Sequence, residues 1–156
     1  MKKILATNPN NWLALIARLA LAVTIFPHGA QKLLGWFGGG GFNASMGFLT
    51  GPVGLPWIIG LLVILIESVG SALLFVGLIT RIAAVGVIVN FLGVVLSSHF
   101  YNEYFMNWAR VGGKAEGLEY FIMLFGLALI CLIAGGGKAS LDTTLSKGRS
   151  RQFSRL

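Results

Sequence analysis

The chain has 156 residues, of which 56% are hydrophobic and only 11% are charged, and its mean hydropathy is +0.82. Soluble domains have about 25% charged residues, so this chain cannot cover a water-facing surface, and we expect a lipid bilayer around one domain. The net charge of +7 then sets membrane orientation rather than binding nucleic acid. The single cysteine, Cys131, excludes an intramolecular disulfide, thioredoxin-like chemistry and covalent c-type haem within this chain.

Four apolar segments follow one another, each close to the ~20 residues that cross a hydrocarbon core. They cover about residues 12–35, 57–79, 82–98 and 118–134. Such segments must be helical in lipid, because open strands or coil would leave backbone groups without partners. The first is too long for a signal peptide and is interpreted as a retained span. The sequence therefore predicts an all-α integral membrane four-helix bundle with a short inner turn and longer outer loops.

The connections between the spans differ in length and composition. Residues 35–56 are rich in glycine and contain two prolines, which predicts an irregular loop that lies in the interface or folds back on the bundle. Residues 80–81 form a very short turn, so the second and third helices should make a tight antiparallel hairpin. Residues 99–117 form a polar and aromatic outer loop.

The basic residues are distributed unevenly between the two ends of the predicted bundle. An even number of spans places both termini on one side, with eight basic residues there and three on the other side. The eight are Lys2, Lys3, Arg81, Lys138, Lys147, Arg149, Arg151 and Arg155, and the three are Lys32, Arg110 and Lys114. The positive-inside rule then predicts cytoplasmic termini. We assign residues 1–137 to the transmembrane domain and residues 138–156 to a basic cytoplasmic tail, expected to be disordered beyond about residue 145.

Few ionisable or strongly polar residues interrupt the spans, and each is a candidate for function because it costs a few kcal/mol on insertion. By depth along the helices, histidine and glutamate side chains fall in the outer half of the bundle, where they could converge and exchange protons. We name as candidate catalytic residues Glu67, His28 and His99. We name as candidate substrate-binding residues Lys32, Glu119, Arg18 and Asn90.

Several of these residues also have a purely structural interpretation. Arg18 and Lys32 could reach opposite interfaces by extending their charged ends along the helix. Glu119 could interact with the dipole at the start of the fourth helix. Glu67 is harder to explain in this way, because its short side chain cannot reach water from the middle of a bilayer.

The stretch "FPHGAQK" combines a proline, a histidine and a lysine near the outer end of the first span. His28 could satisfy a backbone kinked by the proline before it. However, His28 and Lys32 are four residues apart and share one helix face. We therefore predict that His28 points into the bundle near Glu67. Haem held by His28 and His99 is disfavoured, and no metal site is predicted.

Several motifs resemble those of the DoxX family. In that family's order the chain contains "FPHGAQKLLGWFGGGG", "GLPW", "ESVGSALLFVGLITRIAA", "SSHFYN", "GLEYF" and "GGGKASLD", over about residues 18–142. The resemblance implies a bacterial inner-membrane protein of four helices, similar to the small membrane subunit of a thiosulfate–quinone oxidoreductase. The positions that match the family's polar motif are His28, Lys32, Glu67, His99 and Glu119, with Arg18 and Arg81 beside them. The resemblance transfers no catalytic role to any of them.

Three hypotheses for function follow. The first is an inner-membrane oxidoreductase, or a subunit of one, whose quinone-like substrate meets His28 and Glu67. The chain has no evident electron carrier, so a cofactor or a soluble or membrane redox partner would supply electrons. The second is a non-catalytic scaffold that docks a soluble redox enzyme through the basic tail or outer loop. The third is a small proton-linked transporter, which would require a homo-oligomer because no internal repeat is evident.

Overall fold

The computed structural model describes residues 4–99, 104–108 and 117–146, with Ser98 and His99 described by their backbone alone. Every regular element in these ranges is helical, which confirms the predicted fold class. The elements are α1 (Trp12–Leu34), α2 (Gly41–Thr50), α3 (Trp57–Val76), α4 (Thr80–Val94), α5 (Leu118–Ala134) and a short α6 over residues 141–146. A π-helical turn, Ile66–Gly70, lies inside α3, and another, Val95–His99, extends α4.

The apolar helices have the lengths that a bilayer requires. Within the described residues, three are long and apolar enough to cross it: Trp12–Leu34, Trp57–Val76 and Thr80–Ser97. The helix Leu118–Ala134 has 17 residues and falls at the lower limit of the ~17–25 residues of known spans. All four agree with the predicted spans to within one helical turn, because continuous hydropathy defines them.

Residues 41–50 contradict the prediction of an irregular loop, because they form α2. Met46 and Leu49 are buried there against Ile64 of α3. The loop was predicted because glycine has a low helix propensity. The packing of Met46 and Leu49 outweighs that low propensity. The other part of the prediction is confirmed, since this segment folds back on the bundle.

The turn between α3 and α4 lies at residues 77–79 rather than at 80–81. Gly77 has a left-handed backbone with φ of 69°, and this ends α3. A side chain at this position would also overlap Ser140. Both the backbone angle and the lack of space therefore require glycine here. Ile79 has φ of 45°, which is unusual for a β-branched residue. Its N–H donates to Asp142 Oδ1 at 2.7 Å, and this bond holds the turn.

Helix α1 lies at the centre of the fold, in contact with α2, α3 and α5, while α4 packs against α3 and α5. The buried core residues are small or branched aliphatic side chains, with a few aromatic rings. They include Leu21, Ile25, Leu74, Val87, Phe91, Phe121 and Leu124. Large apolar side chains are also exposed on the outside of every span, for example Leu13, Val89 and Ile133. This outer surface is apolar because it faces lipid.

One end of the bundle holds the N-terminal segment, the α3–α4 turn and residues 135–146, and we call it the terminal end. Thr7 Oγ1 donates to the Ala134 carbonyl at 3.2 Å, and Lys138 N donates to the Asn11 carbonyl at 3.0 Å. The first and last described parts of the chain are thus bound to each other. The opposite end, which we call the loop end, carries the connections from α1 to α3 and from α4 to α5.

Candidate functional site

Glu67 lies inside the π-helical turn of α3, and only 3% of it is exposed. The wider turn is accompanied by two serine hydroxyls that bind carbonyls of the same helix. Ser68 Oγ donates to Ile64 O at 2.6 Å, and Ser71 Oγ donates to Ser68 O at 2.9 Å. Single π-helical turns inside α-helices occur frequently at functional sites. A buried carboxylate in such a turn is therefore the first feature of the candidate site.

Among the described residues, each carboxylate oxygen of Glu67 has one side-chain donor from another spanning helix. Lys32 Nζ of α1 lies 2.5 Å from Oε2, and Asn90 Nδ2 of α4 lies 3.2 Å from Oε1. Asn90 is buried, whereas the Lys32 side chain is 29% exposed. A buried charge is tolerated when it is paired and hydrogen-bonded in this way. We call these three residues the polar cluster.

The close approach of α1 to α3 depends on Gly29. A Cβ atom at this position would overlap the backbone carbonyl of Glu67. Gly29 is itself buried, three residues before Lys32 on the same side of α1. Small residues at such contacts let membrane helices approach closely. The glycine therefore brings the Lys32 side chain within reach of Glu67.

Tyr120 is a further polar residue with a buried hydroxyl, and the sequence did not identify it. Its hydroxyl is buried and has no hydrogen-bond partner among the described residues. The residues four and eight positions further along α5, Leu124 and Ala128, are buried. This spacing places Tyr120 on the inner face, but in a helix that is apolar all round the sequence does not reveal which face is inside.

The prediction that His28 points into the bundle is wrong, because its side chain is exposed. Successive residues of an α-helix are rotated by about 100°. Gly29 occupies the contact with α3, so His28 is turned away from that contact. Lys32 lies between these two directions, and its longer side chain reaches Glu67. The prediction identified the turn of α1 that contacts Glu67, but the residue that makes the contact is Lys32 and not His28.

The second glutamate, Glu119, does not extend the cluster. Glu119 Oε1 accepts from Met106 N at 2.9 Å, and Glu119 N donates to the Tyr104 carbonyl at 3.0 Å. Glu119 thus fastens the loop to the start of α5. The side chain of His99 lies outside the part of the chain that the structure describes. The expected group of histidines and glutamates is therefore replaced, among the described side chains, by the polar cluster.

Arg18 lies at the terminal end, where it is 1% exposed and surrounded by backbone carbonyls. Its Nη1 donates to Leu74 O at 2.7 Å and to Phe75 O at 2.6 Å, at the end of α3. Its Nε donates to Gly136 O at 3.0 Å, and its Nη2 donates to Ala139 O at 3.2 Å. Arg18 therefore binds the segment after α5 to the bundle instead of reaching the interface.

An open pocket of about 240 Å³ lies between α1 and α2 at the loop end. Its lining residues are Lys32, Gly40, Ala44, Ser45, Phe48 and Leu49. The wall is mainly apolar, and Lys32 is its one charged residue. Lys32 therefore belongs both to this pocket and to the polar cluster. Among the described residues, no group of three or more His, Cys, Asp and Glu side chains could hold a metal ion.

Fold and site together define a multi-pass helical membrane protein with a buried carboxylate, paired to a lysine and an asparagine, in the interior of its bundle. The model of the DoxX family matches residues 13–100, more than half of the sequence, and the chain belongs to this family. It is similar to the inner membrane protein YphA of Escherichia coli (strain K12). The two are 28% identical over 130 residues, which cover 83% of this chain and 88% of that relative. No solved structure matches the chain.

Proposed function

We propose that this chain is an inner-membrane oxidoreductase, or the membrane subunit of one, that binds the carbonyl headgroup of a quinone-like compound. One observation carries the proposal: Lys32 lines the pocket between α1 and α2 while its Nζ binds the buried Glu67. A single flexible donor thus connects an open pocket with an internal carboxylate. The relative YphA is an inner membrane protein, which supports the proposed location.

The pocket suits a small headgroup with an apolar tail. Its volume of about 240 Å³ is below the ~300–1,000 Å³ of sites that enclose a drug-sized ligand. A substituted benzoquinone ring would enter, while its tail would stay outside among the lipid chains. Phe48 and Leu49 supply apolar contacts for the ring, and Ser45 and Lys32 supply polar groups for its oxygens. In this proposal Lys32 binds the substrate carbonyl, a role that the sequence analysis gave to His28.

Reduction of a quinone to a quinol consumes two electrons and two protons. Lys32 would donate a hydrogen bond to one carbonyl oxygen, and a proton could follow along this contact. Glu67 would hold the lysine in place and exchange protons with it. The two electrons would come from a bound cofactor or from a soluble or membrane redox partner, as the sequence also led us to expect.

Binding of a defined quinone tests the proposal. The full chain in lipid nanodiscs would be titrated with a benzoquinone that carries a decyl tail, and tryptophan fluorescence would report binding. We expect saturable binding that Lys32→Met weakens at least about tenfold, because a hydrogen bond to a charged donor is lost. Lys138→Met makes the same chemical change at the terminal end and should leave binding unchanged. Absence of saturable binding, or equal binding by the Lys32 variant, would overturn the proposal.

One observation favours the scaffold as a second candidate. The only acidic residue of the tail, Asp142, is buried, and its carboxylate accepts from the N–H groups of Ile79 and Thr80. The buried Asp142 carboxylate therefore does not reduce the positive charge that the tail presents. The five basic residues of positions 138–156 suit an acidic partner. Removal of residues 147–156 keeps α6 and should abolish co-purification of a soluble redox enzyme under this hypothesis, whereas Glu67→Gln should not affect it.

A further inference from the structure

The segment that follows α5 lies against the start of α1 at the terminal end of the bundle. Trp12 opens α1 and is 57% exposed, and tryptophan is typical of membrane–water interfaces. Lys138 Nζ lies 3.8 Å from the centroid of the Trp12 ring, and Lys138 N donates to the Asn11 carbonyl at 3.0 Å. These contacts hold the segment at the depth of the lipid headgroups.

Two leucines of α6 are exposed at this depth. Leu141 is 45% exposed and Leu145 is 50% exposed, and residues four apart share one face of a helix. Asp142, beside Leu141, is 1% exposed, and its carboxylate accepts from the N–H groups of Ile79 and Thr80. These two bonds fix α6 to the bundle and leave its apolar face outward. An apolar face at headgroup depth is favourable when it enters the boundary between headgroups and acyl chains.

The charged residues that follow α6 all have the same sign. Residues 147–156 contain four basic residues and no acidic residue. The four are Lys147, Arg149, Arg151 and Arg155. Lys138 adds a fifth positive charge beside Trp12. A cluster of about four or more basic residues next to a spanning helix is typical of proteins that bind anionic lipids.

We propose that residues 138–156 form a binding surface for the anionic phospholipids of the surrounding bilayer. Leu141 and Leu145 enter the boundary between headgroups and acyl chains, and the basic residues bind the lipid phosphates. Two exposed leucines beside the positive charge favour lipid over the acidic protein of the second candidate function, because the bilayer already surrounds the bundle. This surface is independent of quinone binding, so either proposal can fail without the other.

An environment-sensitive dye in the tail tests this proposal on the full-length chain. The variant Ser150→Cys would carry the dye nitrobenzoxadiazole, since the native Cys131 is buried and does not compete for the label. Nanodiscs of phosphatidylcholine would be compared with nanodiscs that also contain phosphatidylglycerol. We expect brighter, blue-shifted emission only with the anionic lipid. The change should disappear at about 1 M salt, where the Debye length falls to about 3 Å.

Two pairs of charge variants test the electrostatic part. Lys147→Gln with Arg149→Gln should lower the bound-to-free ratio of the dye about 25-fold, since each basic residue contributes about fivefold at an anionic surface. Lys2→Gln with Lys3→Gln removes the same charge from the other terminus and should leave the ratio unchanged. Equal effects of the two pairs would contradict a surface formed by the tail.

The apolar part is tested in the same assay. Leu141→Ser with Leu145→Ser should lower the bound-to-free ratio at least about tenfold, because two leucine side chains no longer enter the lipid. Thr144→Ser, at an exposed neighbour, is the control and should have no effect. Identical emission in the two kinds of nanodisc would overturn the proposal. Emission that changes only when a soluble acidic protein is added would also overturn it, and would assign the tail to such a partner.

Discussion

At the scale of single residues, the two donors of Glu67 differ in how freely they can leave it. Asn90 is 7% exposed, has a short side chain and is fixed on the inner face of α4. Lys32 has a long stem and keeps part of its surface in the pocket. The carboxylate is therefore held by one fixed donor and one mobile donor. This difference determines how variants of the pair should behave.

Removal of Lys32 should destabilise the protein more than neutralisation of Glu67. Lys32→Met leaves a buried carboxylate without its counter-charge, which costs about 3–5 kcal/mol in comparable buried pairs. Glu67→Gln leaves a lysine that can turn toward the pocket, so we expect about 1 kcal/mol. The double variant should be more stable than Lys32→Met alone, because no unpaired charge remains. Thermal unfolding in detergent would measure all three, and equal losses for the single variants would contradict this asymmetry.

The identity of the site residues was partly predictable from the sequence, and their contacts were not. Glu67, Lys32 and Asn90 stand out because polar residues are rare in spans. Which of them meet depends on the rotation of each helix about its axis. That rotation is poorly encoded when apolar residues surround the helix on all sides. His28 was therefore placed on the wrong side of α1, and the buried hydroxyl of Tyr120 was not identified.

At the scale of elements, the contact between α1 and α3 positions the site. Gly29 lies against the backbone of Glu67, and the π-helical turn brings the carboxylate to the same level. Hydropathy alone predicted where both helices begin, and it predicted where they end to within one helical turn. It could not predict this contact, which depends on one missing Cβ atom. In the same way, α2 is helical because Met46 and Leu49 pack on α3, which is not a local signal.

Gly29→Ala should force α1 and α3 apart. The added methyl group would overlap the Glu67 carbonyl, and overpacking of this kind costs about 1–3 kcal/mol. Since the same contact positions Lys32, we also expect weaker quinone binding. Melting temperature and the nanodisc titration would measure the two effects. Gly126→Ala on α5, where a Cβ atom meets nothing within 4 Å, is the control and should be neutral. If Gly29→Ala were equally neutral, the close contact would not be needed.

At the scale of the whole molecule, the two chain ends share one end of the bundle. The contacts of Thr7 with Ala134 and of Asn11 with Lys138 show this directly. The side of the membrane on which this end lies is a prediction from the distribution of basic residues. We expect a C-terminal green fluorescent protein to fluoresce and a C-terminal alkaline phosphatase to be inactive, because both would be cytoplasmic. Alkaline phosphatase fused after residue 105 is the control and should be active, and the reverse pattern would show the opposite orientation.

The hydrogen bonds from Arg18 to backbone carbonyls have a consequence for the order in which the chain is synthesised. Its Nη1 partners, Leu74 and Phe75, are synthesised before α4 and α5, but the carbonyls of Gly136 and Ala139 emerge only after α5. The first helix therefore enters the membrane with a guanidinium group that only the last described part of the chain can fully satisfy. Since Arg18 is about two turns from the start of α1, it can remain hydrated at the membrane surface until then. Truncated chains that stop before residue 136 would keep this arginine at the surface, and so a nascent chain differs from a finished one at its first helix.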